Sequence, residues 1–308
     1  MTKAKHAIIE NDRTNLFGRQ CFIVLLCTSI SMAILGGCAI TSKKVFIKDL
    51  SRSFGKGSII YSQTGKSVSF EELMADLNNV NVVYVGERHN NPAHHKIQLQ
   101  VIKELFYTHQ NITVGMEMFD HTYQNVLDQW SAGKLDQKAF LEKVHWYANW
   151  KFDFELYSEI LDFIKAKKIR LVGLNIPSHI PARVSIGGLE SLSDDDRKHL
   201  PEEIDTSNTA HRAYVKEVFK QHHIMGRKNF EYFYTAQCIW EEAMAESITQ
   251  NIENNIMIVL VGNGHIQQKF GIPDRVFRRI QTPSRTIFPA SVGSRAELSF
   301  ADYIWITQ

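Results

Sequence analysis

Four short apolar runs along the chain each end in polar groups. Val82-Val83-Tyr84-Val85 leads into Gly86-Glu87-Arg88-His89, and Ile112-Thr113-Val114 leads into Gly115-Met116-Glu117. Ile169-Arg170-Leu171-Val172 leads into Gly173-Leu174-Asn175, and the run from Ile256 to Val261 leads into Gly262-Asn263-Gly264-His265. Runs this short, rich in β-branched residues and closed by glycine, predict buried strands. Helical stretches separate them, over about 93–108, in pieces over 121–168 and in pieces over 206–254. Strands alternating with helices predict an α/β fold with a mostly parallel sheet flanked by helices. Ile59-Ile60-Tyr61 and Lys66 to Ser69, around Gly65, predict a small hairpin, and Phe70 to Met74 opens a short helix. Arg285 to Ser291 and Tyr303 to Thr307 predict two closing strands. The stretches near 121–168 and 190–254 are longer than crossovers require and predict a helical cap subdomain. On the last helix, about 229–250, Phe230, Phe233, Trp240, Met244 and Ile248 recur at helical spacing and predict a core stripe.

The first 37 residues follow another pattern. Lys3, Lys5, Arg13 and Arg19 precede fifteen uncharged residues, Cys21 to Leu35. That is enough for a signal peptide and short of the roughly 20 residues a spanning helix needs. The run ends in Leu35-Gly36-Gly37-Cys38, which resembles a bacterial lipobox and implies lipidation of Cys38. Ala39 follows rather than Asp, which by the usual sorting rule favours the outer membrane of the cell envelope. The predicted organisation is a signal peptide over 1–37, a lipidated tether over 38–57 and an α/β domain over 58–308. Removing the leader takes off four positive and two negative charges, so the formal net charge falls from +2 to 0. Nothing there resembles a nucleic-acid footprint. Cys238 is the one cysteine left besides Cys38, so no disulfide staples the domain, and its core must hold it together.

Ligands of open parallel sheets bind beyond the carboxyl ends of the strands. Glu87, His89, Glu117, Asn175 and His265 all fall there. Two carboxylates and two imidazoles on one edge can hold a divalent metal or perform acid/base catalysis. Asn91 and Pro92 predict a helix start, which puts His94 and His95 in its first turn. Adjacent helical positions diverge by about 100°, so one of the two histidines can face the cleft. The metal set is then Glu87, His89, His95, Glu117 and His265, and the catalytic set is Glu87, His89, Glu117 and His265. The chain has no Gly-x-Ser-x-Gly elbow, and Cys238 has no adjacent base, so acyl-enzyme chemistry is disfavoured. A hydrolase built on these residues would activate water directly or through the metal.

Gly86-Glu87-Arg88-His89, His94-His95, Gly115 to Phe119, Gly262 to His265 and Gly271-Ile272-Pro273-Asp274-Arg275 together resemble the ChaN family of haem-binding, iron-regulated lipoproteins. That family sits within a superfamily with Tiki, TraB and erythromycin-esterase-like proteins. The resemblance runs over about residues 58 to 280. It includes Ala236 to Ala245, where Glu241 stands in place of the family's usual Asp and keeps the charge on a longer arm. It implies haem binding in iron uptake, with haem held by tyrosine and two haems stacked between the protomers of a homodimer. A haem-uptake receptor is the implied partner. The segment from His145 to Tyr157 offers Tyr147, Tyr157 and His145 as haem-binding residues, with Tyr147 as the iron ligand and, for Tyr157, the alternative of a hydrogen bond into the strand-end cluster. Arg183 and Arg212 are the candidates to pair with propionates. His211 and His222-His223 are fallback ligands. The competing reading is the hydrolase at the strand ends.

Overall fold

The computed structural model describes residues 43–221, 228–253 and 255–308. The leader, Cys38 and the pair His222-His223 lie outside the described residues. The strands are β1 (Lys44–Ile47), β2 (Arg52–Gly55), β3 (Ile59–Tyr61), β4 (Lys66–Val68), β5 (Val82–Glu87) and β6 (Ile112–Asp120), followed by β7 (Arg170–Asn175), β8 (Ile256–Gly262), β9 (Ser284–Ser291), β10 (Arg295–Ala296) and β11 (Tyr303–Thr307). The early helices are α1 (Phe70–Leu77), α2 (Pro92–His109), α3 (Gln124–Ser131), α4 (Gln137–Lys143), α5 (Trp146–Asn149) and α6 (Ser158–Lys167). The later ones are α7 (His179–Gly187), α8 (Asp194–Arg197), α9 (Thr209–Gln221), α10 (Phe230–Asn251) and α11 (Ile272–Ile280).

Eight strands form one sheet in the order β4-β3-β11-β9-β5-β8-β6-β7. From β11 to β7 all neighbours are parallel, and β3 runs antiparallel to both its neighbours, β11 and β4. The four polar-ended runs are therefore contiguous strands, β5-β8-β6-β7, and their carboxyl ends share one edge. They read as unbroken apolar runs because helices cover both faces. Val83, Val85, Val114, Met116, Ile258 and Leu260 point to one face, against α1, α2, α3 and α6. Val82, Tyr84, Val172, Leu174, Val259 and Val261 point to the other, against Met244 and Ile248 of α10 and Ile272 and Val276 of α11. The period-two switch of faces along each strand sorts the side chains between these two cores.

Local chemistry sets the helix starts nearest the site. Ser69 and Glu72 form a capping box at α1. At α2, the Asn91 side chain accepts from the Ala93 N–H, and Pro92 takes the first helical position, where its missing N–H costs nothing.

The predicted tether over 38–57 is corrected. Val45, Ile47 and Phe54 are buried in a second sheet of order β10-β1-β2, packed with Ile60, Ala290, Ile304 and Ile306. The alternation Lys44-Val45-Phe46-Ile47-Lys48 is a strand pattern, but flanking lysines mask it and its parallel partner, Arg295-Ala296, lies far along the chain. The domain begins at β1. Among the described residues no helix is long and apolar enough to cross a membrane.

Candidate functional site

Glu87 closes β5 and is 1 % exposed. Both its oxygens are occupied. Oε1 accepts from the Tyr157 hydroxyl at 2.7 Å and lies 2.7 Å from His89 Nδ1. Oε2 accepts from Gln98 Nε2 at 2.8 Å and has His95 Nε2 at 3.4 Å, long for a hydrogen bond. Burial alone pushes this carboxyl up, but the bonds and charges of His89 and His95 outweigh it and bring it down to about 2. The resulting carboxylate fixes the His89 ring, which is wedged against Trp150 and Phe152 with centroids 4.9 and 5.0 Å away. Burial lowers the His89 pKa, and the Glu87 bond with the Glu117 and Glu87 charges overcomes this and raises it.

Gly262 explains why the next strand ends in glycine. A Cβ there would sit 3.0 Å from His89 Cε1 and 3.5 Å from Glu117 Oε2. Its N–H donates to Glu117 Oε2 at 2.6 Å. Glu117 is 1 % exposed, and its other oxygen lies 3.5 Å from His265 Nε2. His265 Nδ1 meets Glu241 Oε1 at 3.3 Å, so both ring nitrogens face carboxylates and both carry protons. Burial lowers the His265 pKa, yet the Glu117 and Glu241 carboxylates carry it to about 10. Asn175 plays a supporting part. Its Nδ2 donates to the Glu117 carbonyl at 3.0 Å, and its Oδ1 accepts from the Ile176 N–H at 2.9 Å.

Glu241 is the hub that the sequence reading did not assign. Beyond His265, its carboxylate takes a 2.7 Å bond from Gln237 Nε2, lies 3.1 Å from His211 Nε2 and lies 3.4 Å from Arg275 Nε. Arg275 also bonds Glu242, whose Oε2 is 2.6 Å from Arg279 Nη2. The available signal was the pair Glu241-Glu242 inside an otherwise apolar helical turn, Ile239 to Ala245. Charges there must be partnered, because burying them alone is too costly.

The predicted site residues divide. Glu87, His89, His95, Glu117 and His265 do converge, as two hydrogen-bonded halves. His95 faces the cluster and packs at a tilt against Tyr157, ring centres 4.4 Å apart, whereas buried His94 turns away to accept from the Arg88 N–H at 2.8 Å. The metal reading is not carried by this geometry. Among the described residues no three His, Cys, Asp or Glu side chains are placed to hold a metal ion. The Glu87 oxygens accept from Tyr157 and Gln98, and both His265 ring nitrogens face carboxylates. The cluster instead opens on a cavity of 640 Å³ lined by Arg88, His89, Tyr214, Gln237, Asn263 and His265.

Tyr157 is fully buried and spends its hydroxyl on Glu87, so it belongs to the cluster and is no haem ligand. Tyr147 is 65 % exposed. With His145 and Ala148 it lines an open cleft of 740 Å³ against Gln137, Lys138 and Leu141 of α4. His145 sits in the left-handed region at φ 48° and caps α5, whose first residue, Trp146, points inward and donates to the Phe152 carbonyl at 3.0 Å. The propionate candidates lie away from this cleft. Arg183 pairs with Asp196 at 2.6 Å and Arg212 pairs with Glu231, and neither lines the Tyr147 cleft. Lys138, 4.0 Å from Glu142 on the same rim, is the cation there. His211 is 1 % exposed and committed to Glu241.

Comparison with known proteins follows the fold. A structure showing cofacial heme binding to ChaN of Campylobacter jejuni superposes with a TM-score of 0.66 at 19 % identity, over 80 % of this chain and 95 % of that one. At that identity the likeness is one of fold. An erythromycin esterase mutant in an open conformation aligns at 15 % identity over 77 % of this chain and 76 % of that one, with a TM-score of 0.46. No curated protein matches the sequence. A family profile described as haem-binding uptake, Tiki superfamily, ChaN matches residues 73–276, two-thirds of the chain, and it spans the whole strand-end cluster as well as Tyr147. The chain belongs to this ChaN family of haem-binding uptake proteins.

Proposed function

We propose that this protein binds haem at the Tyr147 cleft and serves haem-iron uptake in the bacterial envelope, anchored through lipid on Cys38, at the outer membrane. Family membership supports the haem ligand. The observation that carries the site is Tyr147 itself, an exposed phenol on the rim of an open 740 Å³ cleft. Ligand clefts run to about 300–1,000 Å³. A tyrosinate is a hard anionic oxygen suited to ferric iron. Because the cleft is open, a porphyrin lying on it keeps one face uncovered. The cofacial arrangement in the Campylobacter jejuni relative would cover that face with the haem of a second copy and make a homodimer. A haem-uptake receptor is the partner such a carrier would need.

A haemin titration followed by absorbance and sedimentation tests this. The expected result is a saturable Soret shift with a mass change to a dimer, and loss or displacement of the charge-transfer band in Tyr147→Phe. An unchanged spectrum in that variant rejects Tyr147 as the ligand.

A second reading rests on a different observation. His89, oriented by Glu87 through Nδ1, faces a 640 Å³ cavity beside the His265 cation, an arrangement suited to moving a proton to or from water in a hydrolysis. His265→Ala separates the two readings. Haem affinity should stay within about twofold, as for sites sharing no partner, while hydrolysis of a small-ester panel, if present, should vanish. A large loss of haem in this variant would merge the sites.

A further inference from the structure

The second sheet, β10-β1-β2, has one face packed on the domain and one turned outward. Val45, Ile47, Phe54 and Ala296 point inward and are buried. Opposite them, Lys44, Phe46, Ser53 and Arg295 are exposed. Phe46 is paired with Ser53 on one side and Arg295 on the other, which puts these three on a single outer surface. Phe46 is a large apolar side chain left 36 % exposed, with the Arg295 guanidinium 5.9 Å from its ring centre. Arg52 lies on the open edge strand, over Phe54, and Lys43 precedes β1.

The charge on this surface is uncompensated. Nearby Asp49 accepts from the Leu298 N–H, and Glu297 is paired with Lys48 at 2.9 Å. Among the described residues no carboxylate stands within ion-pair distance of Lys43, Lys44, Arg52 or Arg295. Cations flanking an aromatic ring match an anionic, amphipathic surface: ammonium and guanidinium groups reach phosphates while the ring enters the headgroup layer.

Chain length brings that surface to a membrane. Cys38 is six Cα steps before Lys44, so a lipid on Cys38 lies within about 20 Å of the start of β1. A short tether holds the sheet at high effective concentration near the bilayer, within reach of its screened surface potential.

We infer that the outer face of the β10-β1-β2 sheet, formed by Lys44, Phe46, Ser53 and Arg295, docks on anionic phospholipid headgroups. The inference rests on the lipid-anchor reading of Cys38. Docking would hold the domain against the bilayer in one orientation.

The test uses the full acylated chain, bearing an environment-sensitive fluorophore on Ser53→Cys. Cys238 is buried and stays unlabelled. A label on exposed Ala166→Cys, on α6, is the control. Vesicles of phosphatidylcholine, with or without phosphatidylglycerol, carry a quencher lipid at physiological salt. The Ser53 label should be quenched in the phosphatidylglycerol vesicles and the Ala166 label spared. The docked-to-undocked ratio should fall roughly fivefold for each cation removed in Lys44→Gln and Arg295→Gln. Flotation with neutral vesicles reports the anchor separately. Protein that floats but shows equal quenching of both labels overturns the docking face and leaves the anchor standing. Protein that does not float overturns the anchor. The face then stands only if the unanchored chain cosediments with phosphatidylglycerol vesicles through Lys44 and Arg295, and it falls if it does not. Self-association without vesicles that Lys44→Gln abolishes would assign the face to a second copy and overturn the inference.

Discussion

Arg275→Ala should lower the melting temperature by on the order of 10 °C. Arg275 is 2 % exposed, with Nε 3.4 Å from Glu241 Oε2, Nη1 bonded to Glu242 and a further 3.1 Å bond to the Asp205 carbonyl. Glu241 and Glu242 are 0 % and 1 % exposed. Breaking a buried ion pair by removing one partner costs about 3–5 kcal/mol, since the other charge stays buried. For a domain this large each kcal/mol moves the melting point by roughly 2–4 °C. The loss should sit at the lower end of that range. Glu242 keeps Arg279 at 2.6 Å, and Glu241 keeps His265 and His211 at 3.3 and 3.1 Å. Arg275→Lys should recover only part of the loss, because a single ammonium cannot reproduce a planar fork that serves two carboxylates and a carbonyl. Arg285→Ala, which breaks a partly exposed bidentate pair with Asp76 at 2.6 and 2.9 Å, is the control and should cost less. Equal melting points for Arg275→Ala and Arg285→Ala would show that the buried network does not hold α10 to α11.

The parts of the fold legible in the sequence were those whose signal is local. β5, β6, β7 and β8 announce themselves because both faces of each strand are covered, so hydrophobicity is continuous and glycine ends it. The strand-end cluster follows from them, because parallel strands carry their terminal residues to a common edge. The likeness to ChaN rested on these same motifs, and the family match covers them.

What stayed hidden depends on partners far along the chain. β1 forms a local hairpin with β2, but its parallel partner, Arg295-Ala296, lies about 250 residues on, and nothing near Lys44 foretells that pairing. Arg183 and Arg212 looked free to meet an anionic ligand. Their long arms reach Asp196 and Glu231, which no spacing rule connects to them. Tyr147 and Tyr157 look alike in sequence, and only helix phase and packing turn one out and the other in. Glu241 was noticed as a longer arm than the family's Asp. That arm spans from His265 to His211 and Arg275, which a reading of the motif alone does not reveal.

Stability should fall on the alkaline side of pH 6.5, and His265 should be the main cause. Its pKa rises from 6.5 in the unfolded chain to about 10 in the fold, because both ring nitrogens face buried carboxylates. A raised pKa means the folded state holds the proton more tightly. The contribution is therefore full below pH 6.5 and is lost progressively as pH climbs toward 10, at about 1.4 kcal/mol per pH unit while the unfolded chain alone is deprotonated. His89 is also raised and acts with the same sign. Glu87 runs the other way. Its pKa falls from 4.5 to about 2, so its contribution is present above 4.5 and disappears as pH drops toward 2. His94, whose pKa burial lowers to about 4, costs stability as pH falls below 6.5, so these groups together put the maximum near pH 6.5. Urea midpoints measured on both sides of it give the profile. His265→Asn should be several kcal/mol less stable at pH 6 and fall much less steeply than the wild type from there to pH 9, with only the raised His89 left to lose its contribution. A wild-type profile that is already flat above pH 6.5 would mean that His265 is neutral in the fold and that Glu117 or Glu241 holds the proton instead.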